Sequence, residues 1–271
     1  MTADLGRRIF AATVVVAIVF AGLWWGPLWF WSLGVAVVSA FGCWELLELF
    51  KVRGVQVYRL FGIVMCAVIP LVVHDAGGGT RAGEVLFIVL ACFGLFLIQF
   101  LRSENPKALE GIALTLFSIL YIGWFMSHFI KLRFLPEGHL WILYLIAVTK
   151  SGDIAAYLVG SLWGRHSLIP HISPKKSVEG TIAGLAASVG VSVAFAGHLP
   201  AAWSVPYLAA TGLVTGIIAQ CGDLSESLIK RYCGAKDSGR VVPGFGGLLD
   251  VLDSLLFTAP LFYFFVDRGS L

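Results

Sequence analysis

The sequence predicts an all-α, polytopic integral membrane protein with about nine transmembrane helices and a cytoplasmic N-terminus. Three observations carry this. Of 271 residues, 58% are Ala, Val, Ile, Leu, Met, Phe, Trp, Tyr or Cys, and only 13% are charged. Mean hydropathy is +0.88. The apolar residues come in runs near the ~20 residues that cross a bilayer as a helix, parted by short polar loops. A soluble domain of this length could not hide so much apolar surface, and a disordered chain is poor in apolar residues. A soluble globular enzyme and a disordered chain are both excluded.

The apolar segments run in order over 9–26, 28–50, 58–73, 84–101, 109–130, 140–162, 179–197, 204–222 and 248–266. The first follows Arg7-Arg8 without a small-residue cleavage site, so it reads as a retained helix and not a removed signal peptide. With the N-terminus inside, the inner loops collect most of the 19 Lys and Arg. Arg81, Lys131, Arg133 and Arg268 fall outside, and Lys150 lies within a span. That asymmetry sets the N-terminus in and, with nine spans, the C-terminus out; Lys131 and Arg133 form the discordant loop. Two long inner loops, about 163–178 and 223–247, are polar, basic and glycine-rich. The chain reads as one continuous membrane domain. Residues 1–135 read as scaffold helices, and 136–271 hold the polar residues that could carry chemistry. The net charge of +3 suits loops near anionic lipid or an anionic substrate and not a nucleic-acid surface. The five cysteines contain no C-x-x-C, and three lie mid-span, so they read as small buried apolar residues.

The informative acids are Asp153, Asp223, Asp250 and Asp253. Charge at the centre of a membrane helix costs about 2.5–3.5 kcal/mol on insertion scales, so it persists where it pairs, binds an ion or lines a wet cavity. Asp250 and Asp253 are three apart, on one helical face. They either share a hard cation or match the dipole of a helix N-terminus. Asp223, Glu226 and Lys230 form a polar helical face beside Ser225 and Ser227, either functional or an ordinary solvated cap. Asp153 has Tyr157 at i+4 and Lys150 at i−3; it is either neutralised by that lysine or is the floor of a polar cavity. The run Ser173-Pro174-Lys175-Lys176-Ser177-Val178-Glu179-Gly180 puts two ammonium groups beside hydroxyls. They serve as phosphate ligands or as positive-inside anchors. Pro243-Gly244-Phe245-Gly246-Gly247 precedes a helix start, where close backbone N–H groups favour an anion. Basic loops, a glycine-rich turn and carboxylates on one membrane face are what phosphoryl or nucleotidyl transfer requires. The six histidines are scattered and read as interfacial or structural.

Residues 227–253, SLIKRYCGAKDSGRVVPGFGGLLDVLD, closely resemble the signature of the phosphatidate cytidylyltransferase (CDP-diacylglycerol synthase) family, S-x-x-K-R-x4-K-D-x-G-x-x-x-P-G-H-G-G-x-x-D-R-x-D. Upstream, Gln220-Cys221-Gly222-Asp223-Leu224-Ser225-Glu226, Asp153-x-x-Ala156-Tyr157-x-x-Gly160 and Gly164-Arg165-His166-Ser167-Leu168 are also similar to that family. So is Ile172 through Gly180. Phe245 stands where the signature has His, and Val251 where it has Arg.

The resemblance implies transfer of a cytidylyl group from CTP to phosphatidic acid in the bilayer, with Mg²⁺ required and K⁺ assisting. It implies a homodimer in the cytoplasmic membrane, with the site on the cytoplasmic side. By the resemblance, Asp223 and Asp250 hold the metal; by position and chemistry, Asp153, Asp237 and Asp253 are second-rank candidates for ligation or positioning. Lys175, Lys176, Lys230, Arg231 and Lys236 neutralise phosphates. Ser173, Ser177 and the backbone of Gly244, Gly246 and Gly247 position them. Tyr157, Glu179, Ser227 and Ser238 lie in the matched motifs and join the substrate-binding set. The rival readings are a CTP-dependent polyprenol or phytol kinase, a cytidylyltransferase for another lipid phosphate, and an ion-coupled transporter. A transporter fits poorly, because all the polar signal sits in the C-terminal half.

Overall fold

The computed structural model describes residues 17–79, 82–102, 106–200, 203–239 and 246–269. Residues 17–24 are helical, and most of the first predicted segment lies outside the described residues. The helices that follow are α1 (Leu28–Val52), α2 (Arg59–Asp75), α3 (Ala82–Phe100) and α4 (Ala108–Phe134). A hairpin of β1 (Ser167–Ile169) and β2 (Ser173–Ser177) separates α5 (Gly138–Trp163) from α6 (Val178–Ala194). The last two helices are α7 (Val205–Tyr232) and α8 (Leu249–Gly269). Among the described residues, six helices are long and apolar enough to cross a membrane: α1, α3, α4, α5, α7 and α8. The chain is thus an all-α protein with several membrane-capable helices. The exposed faces fit that setting: Val85, Leu86, Val89 and Phe93 along α3 are all more than half exposed, a stripe that hydrocarbon solvates and water does not.

These residues form two compact units. The first comprises the chain through Phe134 with Tyr232–Val251, the second Leu135–Arg231 with the chain from Leu252. The division therefore falls inside α7 and inside α8.

In the first unit α1 lies along α2, and a core of Leu46, Leu47, Phe50, Cys66, Ile119 and Ile122 is almost wholly buried. α4 carries a π-helical turn over Ile119–Trp124, a bulge type that recurs at functional or strained positions. The sequence reading ended this span near residue 130 and placed Lys131 and Arg133 in an outer loop. The helix instead runs to Phe134. Lys131 is 1% exposed, with Nζ 2.8 Å from Glu84 Oε2, and Trp124 Nε1 donates to the same oxygen at 3.4 Å. Arg133 donates to the Leu23 carbonyl at 3.3 Å. A lysine survives in this apolar setting because a carboxylate meets it. The discordant pair is therefore intramolecular structure and not loop charge.

In the second unit α5 packs closely on α6. The contact is built on small residues four apart: Gly152, Ala156 and Gly160 face Gly180, Gly184 and Ser188. A Cβ on Gly152 would come within 2.5 Å of Ser188 Oγ, and one on Gly180 within 2.6 Å of the Ala156 carbonyl oxygen. Lipid offers no hydrophobic drive between helices, so close backbone approach and polar bonds hold them. Ser188 Oγ donates to the Val148 carbonyl at 3.1 Å and Gln220 Nε2 to that of Thr181 at 3.0 Å. Tyr144 and Ser192 share a 2.6 Å hydroxyl bond.

Two features depart from the sequence reading in detail. The loop at 163–178 is an antiparallel hairpin, with Ser167 opposite Ser177 and Ile169 opposite Ser173. And α7, drawn to residue 222, continues to Tyr232 for 28 residues. At 1.5 Å per residue that is about 42 Å, beyond a ~30 Å hydrocarbon core. The last turns, carrying Asp223, Glu226 and Lys230, therefore continue past the length that lipid requires.

Candidate active site

In the second unit a cavity of about 570 Å³ opens against α5, β2, α6 and α7, within the usual volume range of small-molecule sites. From α5 come Asp153, Tyr157 and Gly160, at i, i+4 and i+7 on one helical face. Lys175, Lys176 and Ser177 come from the end of the hairpin, Gly180 and Thr181 from α6, and Gln220 and Asp223 from α7. Tyr157 is 74% exposed, so its ring forms an open wall.

A carboxylate cluster lies beside the cavity. One oxygen each from Asp223, Glu226 and Asp253 lies within 4.8 Å of the others. Asp223 and Glu226 are three apart on α7, so helical geometry puts them on one face. Asp253 comes from α8, close-packed against α7 at Gly222, where a Cβ would stand 2.6 Å from the Asp253 carbonyl oxygen. Three carboxylates at this spacing repel unless cations balance them. Lysines do so in part. Lys176 Nζ is 2.7 Å from Asp223 Oδ2, and Lys230 Nζ is 2.5 Å from Glu226 Oε2. Lys150 Nζ is 3.9 Å from Asp253 Oδ1. The same Lys150 donates to Asp153 Oδ2 at 3.0 Å and to Ser254 Oγ at 2.8 Å, and Ser254 Oγ in turn donates to Asp153 Oδ2 at 2.8 Å. The donor set is all oxygen, with no imidazole or thiolate, which suits a hard cation such as Mg²⁺.

The hairpin that brings Lys175 and Lys176 here is braced at both ends. Glu179, in the first turn of α6, accepts from the Arg165 and His166 backbone N–H groups at 3.1 and 3.3 Å and from His166 Nδ1 at 2.6 Å. Ser177 caps α6, its Oγ accepting the Gly180 N–H at 3.1 Å, a typical N-cap. Arg231 Nε donates to the Ile172 carbonyl at 3.3 Å. Glu179 and Arg231, assigned to substrate and phosphate by the resemblance, here bond Arg165 and His166, and Ile172 respectively. Ser173 opens β2, and Ser227 is half-buried on α7.

The remaining predicted residues lie in the first unit. Asp250 stands in the first turn of α8. Its Oδ2 accepts from the Ser238 N–H (3.2 Å), Ser238 Oγ (2.9 Å) and the Gly247 N–H (2.7 Å). Gly246 has φ +100°, and a Cβ there would sit 2.6 Å from Asp250 Oδ2, so glycine is required on both counts. Lys236 and Asp237 are exposed. Gly244 and Phe245 lie outside the described residues.

Four residues in these networks were not in the predicted set. Lys150 and Glu226 were visible as i±3 neighbours of Asp153 and Asp223, but spacing alone reads equally as local neutralisation. Gln220 opens the stretch through Glu226 that resembles the family but was given no role there, and Ser254 carries no sequence signal beyond adjacency to Asp253.

The chain matches a family model described as "Cytidylyltransferase family" over residues 6–268. It is 32% identical to a phosphatidate cytidylyltransferase of Synechocystis sp., covering 96% of each chain. It is 37% identical to the phosphatidate cytidylyltransferase of Brucella suis, covering 97% of this chain and 93% of that one. With that of Staphylococcus aureus identity is 36%, over 80% of this chain and 82% of the other.

Proposed function

The chain belongs to the cytidylyltransferase family, and from that premise we propose that it forms CDP-diacylglycerol and pyrophosphate from CTP and phosphatidic acid. The observation that carries this reading is the carboxylate cluster of Asp223, Glu226 and Asp253 beside a cavity that also presents Lys175 and Lys176. A triphosphate needs cations and a metal needs carboxylates, and the cavity lining presents Lys175 and Lys176 with Asp153 and Asp223.

In this reading an oxygen of the lipid phosphate attacks the α-phosphorus of CTP. The bond from that phosphorus to the bridging oxygen breaks, and its electron pair leaves with pyrophosphate. The attacking oxygen is already ionised, so no side chain need remove a proton. This fits a site whose lining includes no histidine among the described residues. Mg²⁺, when bound, supplies charge neutralisation on the triphosphate and orients it. Asp223, Glu226 and Asp253 have the chemistry to hold it, and Asp250 is a further ligand by resemblance. Lys175 and Lys176 bind phosphate oxygens. Lys176 exchanges its bond to Asp223 for one to phosphate when substrate enters. Lys150 and Ser254 hold the Asp153 carboxylate in place. Tyr157, exposed beside the cavity, offers an apolar ring toward the lipid side.

The same reading has K⁺ assisting, a homodimer as the working form, and the site on the cytoplasmic face of the cytoplasmic membrane. The charge asymmetry of the loops supports that orientation. The test uses purified protein in detergent with phosphatidic acid, α-labelled CTP and Mg²⁺. Label should enter the lipid with release of pyrophosphate, and EDTA should stop it. Label remaining in the aqueous phase while γ-labelled CTP phosphorylates a polyprenol would overturn the reading in favour of a kinase.

A further inference from the structure

The N-terminal helices carry no family motif, yet one of them holds a buried acid that the reaction does not use. Glu45, in the C-terminal third of the apolar helix α1, is 1% exposed. Burying a carboxylate is costly unless its oxygens are engaged. Both are. Oε1 accepts the backbone N–H of Leu248 at 2.9 Å, and Oε2 accepts that of Leu249 at 2.9 Å. These are N–H groups at the start of α8, where a helix has no partners of its own for its first donors. A negative charge there also meets the positive end of the helix dipole.

The same carboxylate is a packing surface for two glycines of the signature. A Cβ on Gly239 would come within 2.7 Å of Oε1, and one on Gly247 within 2.7 Å of Oε2. Gly247 donates in turn to Asp250 Oδ2 at 2.7 Å. The turn is therefore gripped from two sides, by Glu45 through Leu248 and Leu249 and by Asp250 through Ser238 and Gly247. We propose that Glu45 is a positioning residue for the reaction: it fixes the Gly246–Asp250 turn, and so the direction of the Asp250 carboxylate, without touching substrate. The inference rests on the functional reading above for its catalytic consequence, whereas the clamp itself is independent of it.

Two variants and two readouts test this. Glu45→Gln keeps the shape and one accepting oxygen, but sets an NH₂ donor against one backbone N–H. Glu45→Leu removes both acceptors. Hydrogen–deuterium exchange should show faster uptake in a peptide covering 246–252 in Glu45→Gln, with peptides of α5 and α6 unchanged. In the activity assay Glu45→Gln should lower kcat about tenfold, leave KM for phosphatidic acid unchanged, and move the Mg²⁺ concentration for half-maximal rate upward at least threefold. Glu45→Leu should lower kcat further. Glu48→Gln, one turn along the same helix, should alter neither readout. General destabilisation would not shift Mg²⁺ dependence in protein that remains folded. If Glu45→Leu does not fold, Glu45→Gln carries the test. Unchanged exchange at 246–252 would refute the clamp, and changed exchange with unaltered kcat and Mg²⁺ dependence would refute the positioning role. No turnover in the parent protein would instead refute the functional reading.

Discussion

The Lys131–Glu84 pair should be among the most sensitive points of the first unit. The side chains are 0% and 5% exposed, with nitrogen and oxygen 2.8 Å apart. Replacing Lys131 by Met keeps the length but leaves the Glu84 carboxylate buried with only the long Trp124 bond. Its other oxygen has no hydrogen-bond partner among the described residues. Removing one partner of a buried pair costs about 3–5 kcal/mol, whereas replacing both with apolar groups of similar volume is near neutral. At roughly 2–4 °C per kcal/mol for a unit of about this size, Lys131→Met should melt about 6–20 °C below the parent. The double variant Glu84→Leu/Lys131→Met should recover most of that loss. Thermal unfolding in detergent, followed by tryptophan fluorescence, reads both, since Trp124 sits on the pair. A single variant melting within ~2 °C of the parent, or a double variant no more stable than Lys131→Met, would refute the reasoning.

Two further outcomes follow from the site. Asp223→Asn should reduce turnover by more than about 100-fold while the protein still inserts and melts near the parent, because its pair with Lys176 is roughly a third exposed and such pairs contribute only about 0–1 kcal/mol; full activity would remove Asp223 from the metal-binding set. Ser177→Ala removes the N-cap of α6 and should cost about 1 kcal/mol, seen as a melting point lower by a few degrees; a rise in stability would mean that the Gly180 bond contributes nothing.

Much of the site was legible in the chain because its residues are close in sequence. Asp223 and Glu226 share a helical face by spacing, Lys175 and Lys176 are neighbours, and Asp153 sits four from Tyr157. The run of apolar residues is a local signal, and it placed α6 without further information, whereas the end of α7 was drawn ten residues short of Tyr232. The hairpin at 167–177 was not legible, since five residues of Ser, Pro and Lys have no strand signature. Glu179 bonds the residues just before it and Arg231 bonds its turn at Ile172.

The sequence by itself determined that this is a helical membrane protein of the cytidylyltransferase family, because composition and a long contiguous motif survive without knowledge of contacts. Only the tertiary structure decided what balances each buried charge. Lys131 read as a loop cation until Glu84, 47 positions earlier, was found against it. Nothing in the sequence singles out Glu45, whose oxygens accept the N–H groups of Leu248 and Leu249 more than 200 positions later. A charge in an apolar medium must be met by an opposite charge or a donor, but that rule does not say from where along the chain the partner comes.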